Sequence, residues 1–495
     1  MKKFMIAAAT ALTLAGCAKP SAEICSFRGG REAAVSLTFD DGIVDHYTLV
    51  APQLNRLGIH GTFWINPGRI EHDDDYSPYL TWEMCRQMAA AGHEISNHSW
   101  SHPHLTRLTP DEVREEVRRA DDAIETEVGI RPITFCFPYN STDSTVTAIC
   151  GEGRVGMRTF QEGQGQANNH STAESLASWL RGVIDSREWG VTMTHGIHNG
   201  WDQWEDETIL WNFYKDLAAK RDSVWIGTFA EVSAYIAERD ATTLEASVKG
   251  DVLTLTPSCS LDPSLYREKL TAKVDWKGET RYLDFDPFGG AQTYDLSDPL
   301  LGKTINVFGD SYVRNHVRPY TETWHCKLAE RHSMVYNNYG INGSSVAFDR
   351  SDRGFGVAML DRFEMMTHKA DYILVIAGHN DAYYITNAPD STAKCLERLD
   401  LFCKGLVEKY PEAKIGFVTP WAVDKPNFPE IIAAIKTSCA KYGIPVLDAA
   451  STSGIDPNDE AFREKYFQTK WDNAHLNPAG HDLLVDWGEE FLLGL

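Results

Sequence analysis

The chain has 495 residues, room for about three domains at roughly 150 residues each. Hydrophobic residues at 43% and charged residues at 24% place it among soluble globular proteins. Lys and Arg total 47 against 70 Asp and Glu, a net charge of −23 that argues against a nucleic-acid partner, which needs a basic face, and suits a neutral or cationic substrate.

The first segment, MKKFMIAAATALTLAGC, joins a basic start, a short apolar run and small residues before Cys17. It reads as an export signal, too short in its apolar run to span a membrane stably. Leu14-Ala15-Gly16-Cys17 resembles a bacterial lipoprotein box, which implies cleavage before Cys17, a lipid on its sulfur, and a chain held at the cell envelope through that anchor. Without Cys17 an odd number of cysteines remains, and none forms a CxxC pair, so neither a thiolate zinc site nor a disulfide framework is indicated. Residues 18–30 read as a linker.

From residue 31 to 238, short β-rich runs alternate with helical periodicity. AAVSLTF, GTFWIN, HEISNH, ITFCFPY, GVTMTH and VWIGTF are predicted strands. TPDEVREEVRRADDAIETEV is the clearest helix, with Thr109 as N-cap, Pro110 at the first position and acidic residues in the first turn. Such alternation predicts a parallel sheet with crossover helices. Residues 242–292 change character: TLEASVKGDVLTLTP and KLTAKVDW alternate by twos, predicting a small antiparallel module that acts as spacer or substrate platform. A second α/β series occupies 300–495, with TINVFG, MVYNNYG, DYILVIAG, KIGFVT and IPVLDA as strands.

In the first series, LTFDDG puts Asp40 and Asp41 at a strand's C-terminal end, where α/β barrels build active sites. Their side chains alternate, so one can hold a metal while the other stays free as a base. HSWSHPH follows another strand, and a helical turn there would put His98 and His102 on one face. His195 follows GVTMT. One carboxylate and two imidazoles suit zinc or a similar divalent ion with open positions. These motifs, together with Pro138-Tyr139, resemble the polysaccharide deacetylase family, carbohydrate esterase family four. The resemblance implies a distorted (β/α) barrel, Asp40 as general base, Asp41, His98 and His102 as metal ligands, His195 as general acid, and the Tyr139 N–H as an oxyanion donor. The sequence departs from the family where an arginine usually supports the base: it reads Phe135-Cys136-Phe137, with Asn140 after Pro-Tyr. The carboxylate that tunes the acid histidine is not obvious; Arg181 and Asp185 are the nearest candidates. His104 reads as a solvated bystander and His198 as a cleft-wall residue. Trp201 and Trp204 offer faces suited to sugar rings, whereas Trp211 fits core packing equally well.

In the second series, INVFGDSYV sets Ser311 between a strand and a helix start, where backbone N–H groups can help bind an oxyanion. WDNAHLNPAGH places Asp472 three residues before His475, so one loop can carry a base and the carboxylate that orients it. YGINGSS and IAGHND offer Gly343 and Asn380 as oxyanion donors. These blocks, in this order, resemble the SGNH (GDSL-type) hydrolases. The resemblance implies a flavodoxin-like α/β/α domain with Ser311 as nucleophile, His475 as base, Asp472 as its orienter, and Gly343 and Asn380 in the oxyanion hole. His379, Asp381 and His481 read as polar loop or packing residues.

The joint expectation is an exported bifunctional enzyme that removes O-acetyl groups from a polysaccharide such as acetylated xylan, at one metal site and one serine site. The alternatives are N-deacetylation of peptidoglycan or chitin-type sugars beside O-deacetylation, and a surface protein that binds glycans without turnover.

Overall fold

The computed structural model describes residues 21–70, 78–350, 357–367, 369–385 and 389–495. The export signal and Cys17 lie outside the described residues. No helix among the described residues is long and apolar enough to cross a membrane.

The first domain is a wall of parallel strands with helices outside it. Ala33–Ser36 and Thr38–Phe39 form one interrupted strand, paired with Trp189–Thr194 along one side. On the other side Val224–Ile226 pairs its first half and Thr62–Ile65 its second. Glu94–Asn97, Thr134–Cys136 and Gly156–Arg158 continue the wall, and Glu162–Gln164 pairs back onto Trp189–Thr194. Among the described residues no ladder joins Gly156–Arg158 to Glu162–Gln164, so the wall is split there. The sheet nonetheless curls on itself, because Arg158 on the last strand donates to Thr38 Oγ1 on the first at 2.7 Å. This is the distorted barrel anticipated above. Val35, Leu37, Phe39, Phe63 and Ile65 are all fully buried, since strands of a parallel sheet are covered on both faces.

Helix Pro110–Val128 begins as its sequence predicts. The Thr109 side chain accepts the Glu112 N–H, and Glu112 reaches back to the Thr109 N–H, which satisfies orphan donors at the helix start. Gly129, with φ 82, ends it in the left-handed conformation.

The middle module is two three-stranded antiparallel sheets. One contains Thr242–Lys249, Val252–Cys259 and Gln292–Asp295; the other sets Leu270–Trp276 between Glu279–Phe285 and Ser21–Ile24. The reading of 18–30 as linker therefore needs correction. Ser21–Ile24 is an edge strand of the module, and Phe27 is buried in its core. Nor is the module a detached spacer: its core is continuous with Ala34, Trp225, Val232 and Tyr235 of the first domain.

The C-terminal domain has five parallel strands in the order Val335–Gly340, Thr304–Gly309, Tyr372–Ile376, Lys414–Val418, Val446–Leu447. Numbered along the chain this is 2-1-3-4-5, the flavodoxin-like order. Ser311 and Asn380 leave the C-terminal ends of its first and third strands, where ligands bind in open α/β sheets.

Candidate active sites

Asp40 and Asp41 follow Thr38–Phe39 and diverge, as strand alternation requires. Asp40 is fully buried and held by both nitrogens of the Arg158 fork, Nη1 to Oδ1 at 2.7 Å and Nη2 to Oδ2 at 2.5 Å. Burial pushes the Asp40 carboxyl up, but the Arg158 charge outweighs it and holds the group below the usual carboxylate range. Arg158 is the residue that sequence reasoning missed. It occupies the strand position in register with Cys136, which lies in the Phe135-Cys136-Phe137 segment that lacks an arginine. The guanidinium comes from the neighbouring strand instead.

Asp41 turns towards the histidine loop. Its Oδ1 lies 3.1 Å from His102 Nε2 and 3.6 Å from His98 Nε2. His98 Nδ1 sits 2.8 Å from the Cys136 carbonyl and must donate to it, which leaves a bare lone pair on Nε2 facing Asp41. Asp41 Oδ1 is itself buried and makes no hydrogen bond. A bare His98 lone pair that faces a carboxylate oxygen without a proton between them calls for a cation. Ligands about 2.0–2.1 Å from a tetrahedral zinc lie roughly 3.3 Å apart, which these spacings bracket. Asp40, His98 and Cys136 form a second possible donor set, but both oxygens of Asp40 are already taken by Arg158. Asp41, His98 and His102 therefore fit a divalent ion better.

The loop is shaped for this arrangement at some cost. Asp41, Ser99 and His102 have φ of 76, 66 and 62, a conformation that non-glycine residues occupy only when the surroundings enforce it. Here Asn97 Oδ1 accepts the Ser99 N–H at 2.7 Å, Ser99 Oγ accepts the His102 N–H at 3.1 Å, and Asn66 donates to the Ser99 carbonyl at 3.1 Å.

His195 approaches from the opposite side, its Nε2 3.9 Å from Asp40 Oδ2 and 4.0 Å from Asp41 Oδ2. His46 Nε2 donates to the His195 carbonyl at 2.7 Å. Asp45 fixes the following loop by accepting the N–H groups of Ile197, His198 and Asn199. Neither tuning candidate reaches His195: Asp185 is exposed on an outer helix, and Arg181 pairs with Glu174. His195 Nδ1 is buried without a hydrogen bond, and the Trp201 ring stands edge-on to the imidazole at 4.7 Å. Tyr139 has φ 56, and the turn's own bonds come from the N–H groups of Asn140 and Ser141. His104 is a partly exposed loop residue whose ring stacks on Tyr139 at 4.0 Å.

The second centre is a continuous hydrogen-bonded chain. Ser311 Oγ is 2.8 Å from His475 Nε2, and His475 Nδ1 is 2.9 Å from Asp472 Oδ2. Asp472 Oδ1 also accepts the N–H groups of Ala474 and His475. Burial pushes the Asp472 carboxyl up, but the His475 bond and these amides hold it below its ordinary value. The His316 ring stacks on His475 at 4.3 Å.

Asn380 Nδ2 lies 3.2 Å from Asp310 Oδ2 and 3.1 Å from the Ser344 carbonyl, so an oxyanion would have to displace one of these acceptors. Arg350 ties the two expected oxyanion residues together, with Nη1 donating to the Gly343 carbonyl at 2.6 Å and to Asn380 Oδ1 at 2.9 Å. This bond fixes which way the Asn380 amide faces. Asp381 does more than line a loop, since it accepts Ser345 Oγ and the N–H groups of Val346 and Ala347, which anchors the segment after Gly343. His379 bonds the Tyr312 hydroxyl at 2.8 Å, and His481 packs behind Trp324 and Asn315.

Residues 28–156 match the polysaccharide deacetylase family, and residues 307–483 match the GDSL-like lipase/acylhydrolase family. The chain thus carries a domain of each, fused through the middle module. Peptidoglycan-N-acetylmuramic acid deacetylase PdaC of Bacillus subtilis is 35% identical over 109 residues, 22% of this chain and 22% of that protein. Chitin deacetylase 1 of Cryptococcus neoformans is 33% identical over 116 residues, 23% of each chain. A bifunctional xylanase/xylan deacetylase of Cellvibrio japonicus is 29% identical over 176 residues, 36% of this chain and 22% of that protein. The chain spans about a fifth of the length of each of these relatives.

Proposed function

We propose that this protein is a carbohydrate deacetylase and acetyl esterase with two independent centres, which removes O-acetyl groups from a polysaccharide such as acetylated xylan. The observation that carries the reading is the coexistence of two separate constellations on one chain: Asp40–Arg158 beside Asp41, His98 and His102, and the Ser311–His475–Asp472 chain.

In the first centre, Asp41, His98 and His102 would hold a divalent ion, zinc by its ligand types, which would supply Lewis acidity towards water and an acyl carbonyl. Asp40 accepts the proton of the attacking water, and Arg158 keeps that carboxylate ionised and oriented. His195 gives a proton to the leaving oxygen, and the Tyr139 N–H bonds the developing oxyanion. In the second centre, Ser311 Oγ attacks the acetyl carbonyl while His475 Nε2 takes its proton. His475 returns that proton to the sugar oxygen as it leaves, and water releases acetate from the acyl-enzyme by the same route. Asp472 holds the His475 tautomer; the Ser311 and Gly343 N–H groups and Asn380 Nδ2 stabilise the oxyanion.

A second reading, N-deacetylation of peptidoglycan or chitin-type sugars by the first domain, draws support from the printed activities of the Bacillus and Cryptococcus relatives. Acetate release from acetylated xylan and from N-acetylglucosamine oligomers, by wild type, Asp41→Ala and Ser311→Ala, decides between them. Each substitution should lower release from the xylan, and a chelator should reproduce only the Asp41→Ala loss. Release from N-acetyl substrates alone overturns the ester reading, and no loss in either variant overturns both site assignments. We also propose export with a lipid anchor at Cys17, supported by the N-terminal sequence; metabolic labelling with a fatty acid should be lost in Cys17→Ser.

A further inference from the structure

A cavity of about 290 Å³ lies between the first and C-terminal domains and includes no residue of either reactive centre. Arg28, Arg31, Arg221 and His60 line it from one side, and Arg314 and Tyr336 from the other. In a chain of net charge −23, this is a local reversal of sign. Among the described residues, only Arg28 of these arginines has an ion-paired carboxylate, Glu268. Among the described residues Arg31, Arg221 and Arg314 make no salt bridge.

Their hydrogen bonds go to carbonyls instead. Arg31 Nε donates to Arg221 O at 3.2 Å, Arg221 Nη1 to Met365 O at 3.1 Å with Nη2 on Leu57 O, and Arg314 Nη2 to Ala90 O at 2.8 Å. A carbonyl satisfies a donor and orients the fork, but it does not neutralise the charge. Two carboxylates also line the cavity, Glu231, which accepts the Thr228 N–H, and Asp284, which accepts the Thr271 hydroxyl; Asp284 favours the Arg31 charge through space but forms no ion pair with Arg31, Arg221 or Arg314 among the described residues. Burial accordingly pushes Arg31, Arg221 and Arg314 down, whereas for Arg28 the Glu268 charge outweighs burial. Desolvated guanidinium groups without an ion-paired carboxylate are costly, and a bound anion lowers that cost.

We propose that this interdomain cavity binds a small oxyanion group, phosphate-like or carboxylate, between Arg31, Arg221 and Arg314. Planar guanidinium forks held by backbone carbonyls match such oxygens in pairs. Arg221 already spans the two domains, so the anion would brace their junction. The same chemistry is offered by a free inorganic ion and by the uronate carboxylate of a glycan.

Calorimetric titration of the full-length protein with inorganic phosphate, and separately with glucuronic acid, at ionic strength held constant with sodium chloride, tests the site. Saturable binding of one equivalent is expected, weakened about tenfold or more in Arg221→Gln and in Arg314→Gln and unchanged in Lys441→Gln. Binding of phosphate alone identifies the free ion, of glucuronate alone the glycan carboxylate, and of both their shared chemistry; each supports the site. Arg31→Lys, which keeps the charge and loses the fork, should weaken binding without loss of fold. No saturable binding of either anion by wild type, or binding that survives the arginine substitutions, overturns the proposal.

Discussion

Asp40 and Arg158 form a pair whose members depend on each other. The bidentate bond is almost wholly buried, so removal of one partner leaves an uncompensated charge. Arg158→Met should destabilise the first domain by about 3–5 kcal/mol and abolish Asp41-dependent acetate release, while Ser311-dependent release continues. Asp40→Asn combined with Arg158→Met should restore most of the urea resistance and none of the metal-site turnover. Recovery of turnover in the double variant would sink the role given to Asp40. The sequence showed Asp40 plainly, because its motif is contiguous. It hid Arg158, because the contact depends on the register between Thr134–Cys136 and Gly156–Arg158, and the second of these strands is only three residues long, too short for a periodicity to show. Asp310, beside the nucleophile, carries a pH prediction. Burial pushes its carboxyl up to about 7, against the opposing pull of the Tyr312 N–H. Unfolded aspartate titrates near 3.9, so between that value and 7 the native state holds a proton that the unfolded chain has lost. Stability of the serine domain should therefore fall as pH rises through this window, by up to about 1.4 kcal/mol per pH unit. Urea midpoints of Asp310→Asn, compared with wild type from pH 4.5 to 7.5, should show a flatter slope; an unchanged slope rules out Asp310 as the source.

Among the elements, legibility followed locality. The start of Pro110–Val128 was readable from four adjacent residues, because a capping box is made between Thr109 and Glu112. The three inner strands of the C-terminal sheet, Thr304–Gly309, Tyr372–Ile376 and Lys414–Val418, were readable as well, because they are largely apolar runs covered on both faces, whereas the edge strands Val335–Gly340 and Val446–Leu447 are only half-buried. The pairing of Ser21–Ile24 with Leu270–Trp276 was not, since nothing local in four residues announces a partner so far along the chain. The oxyanion loops of the serine domain show the same division. Gly343 and Asn380 were legible as motif residues, whereas Arg350, which holds both, belongs to no motif. Loss of Arg350 leaves the Asn380 amide held only through its Nδ2 bonds to Asp310 and Ser344, and leaves the Gly343 carbonyl without that donor. In Arg350→Ala, kcat of the Ser311-dependent reaction should drop about tenfold or more, with KM changed little, because the bond positions a donor that acts in the transition state. Arg350→Lys should recover part of the loss. A variant that raises KM alone would make Arg350 a substrate contact instead.

At the scale of the whole molecule, the middle module determines where the chain can be divided. From sequence it read as a spacer or a substrate platform between two enzymes, and the spacer reading would allow a cut on either side. Its core argues otherwise: Phe27, Leu253, Leu270 and Phe285 pack in one cluster with Trp225, Val232 and Tyr235, which belong to the last strand and helix of the first domain. The Tyr235 hydroxyl donates to the Cys25 carbonyl at 3.0 Å, and Arg239 donates to Ser26 O at 2.8 Å, so the N-terminal strand is fastened to the same helix. Excision of residues 31–238 would uncover those aromatic faces, and large side chains lose about 1.5–3 kcal/mol each when their burial is lost. A fragment of residues 31–238 should therefore melt well below one of residues 21–301, or aggregate, even though every residue proposed for the metal centre is present in both. Thermal melts of the two fragments, with acetate release measured on the soluble fraction, check this directly. Equal melting temperatures would show that the module is a passenger; a higher melting temperature for the longer fragment would make the module a structural part of the deacetylase domain, with the serine domain joined to that composite unit.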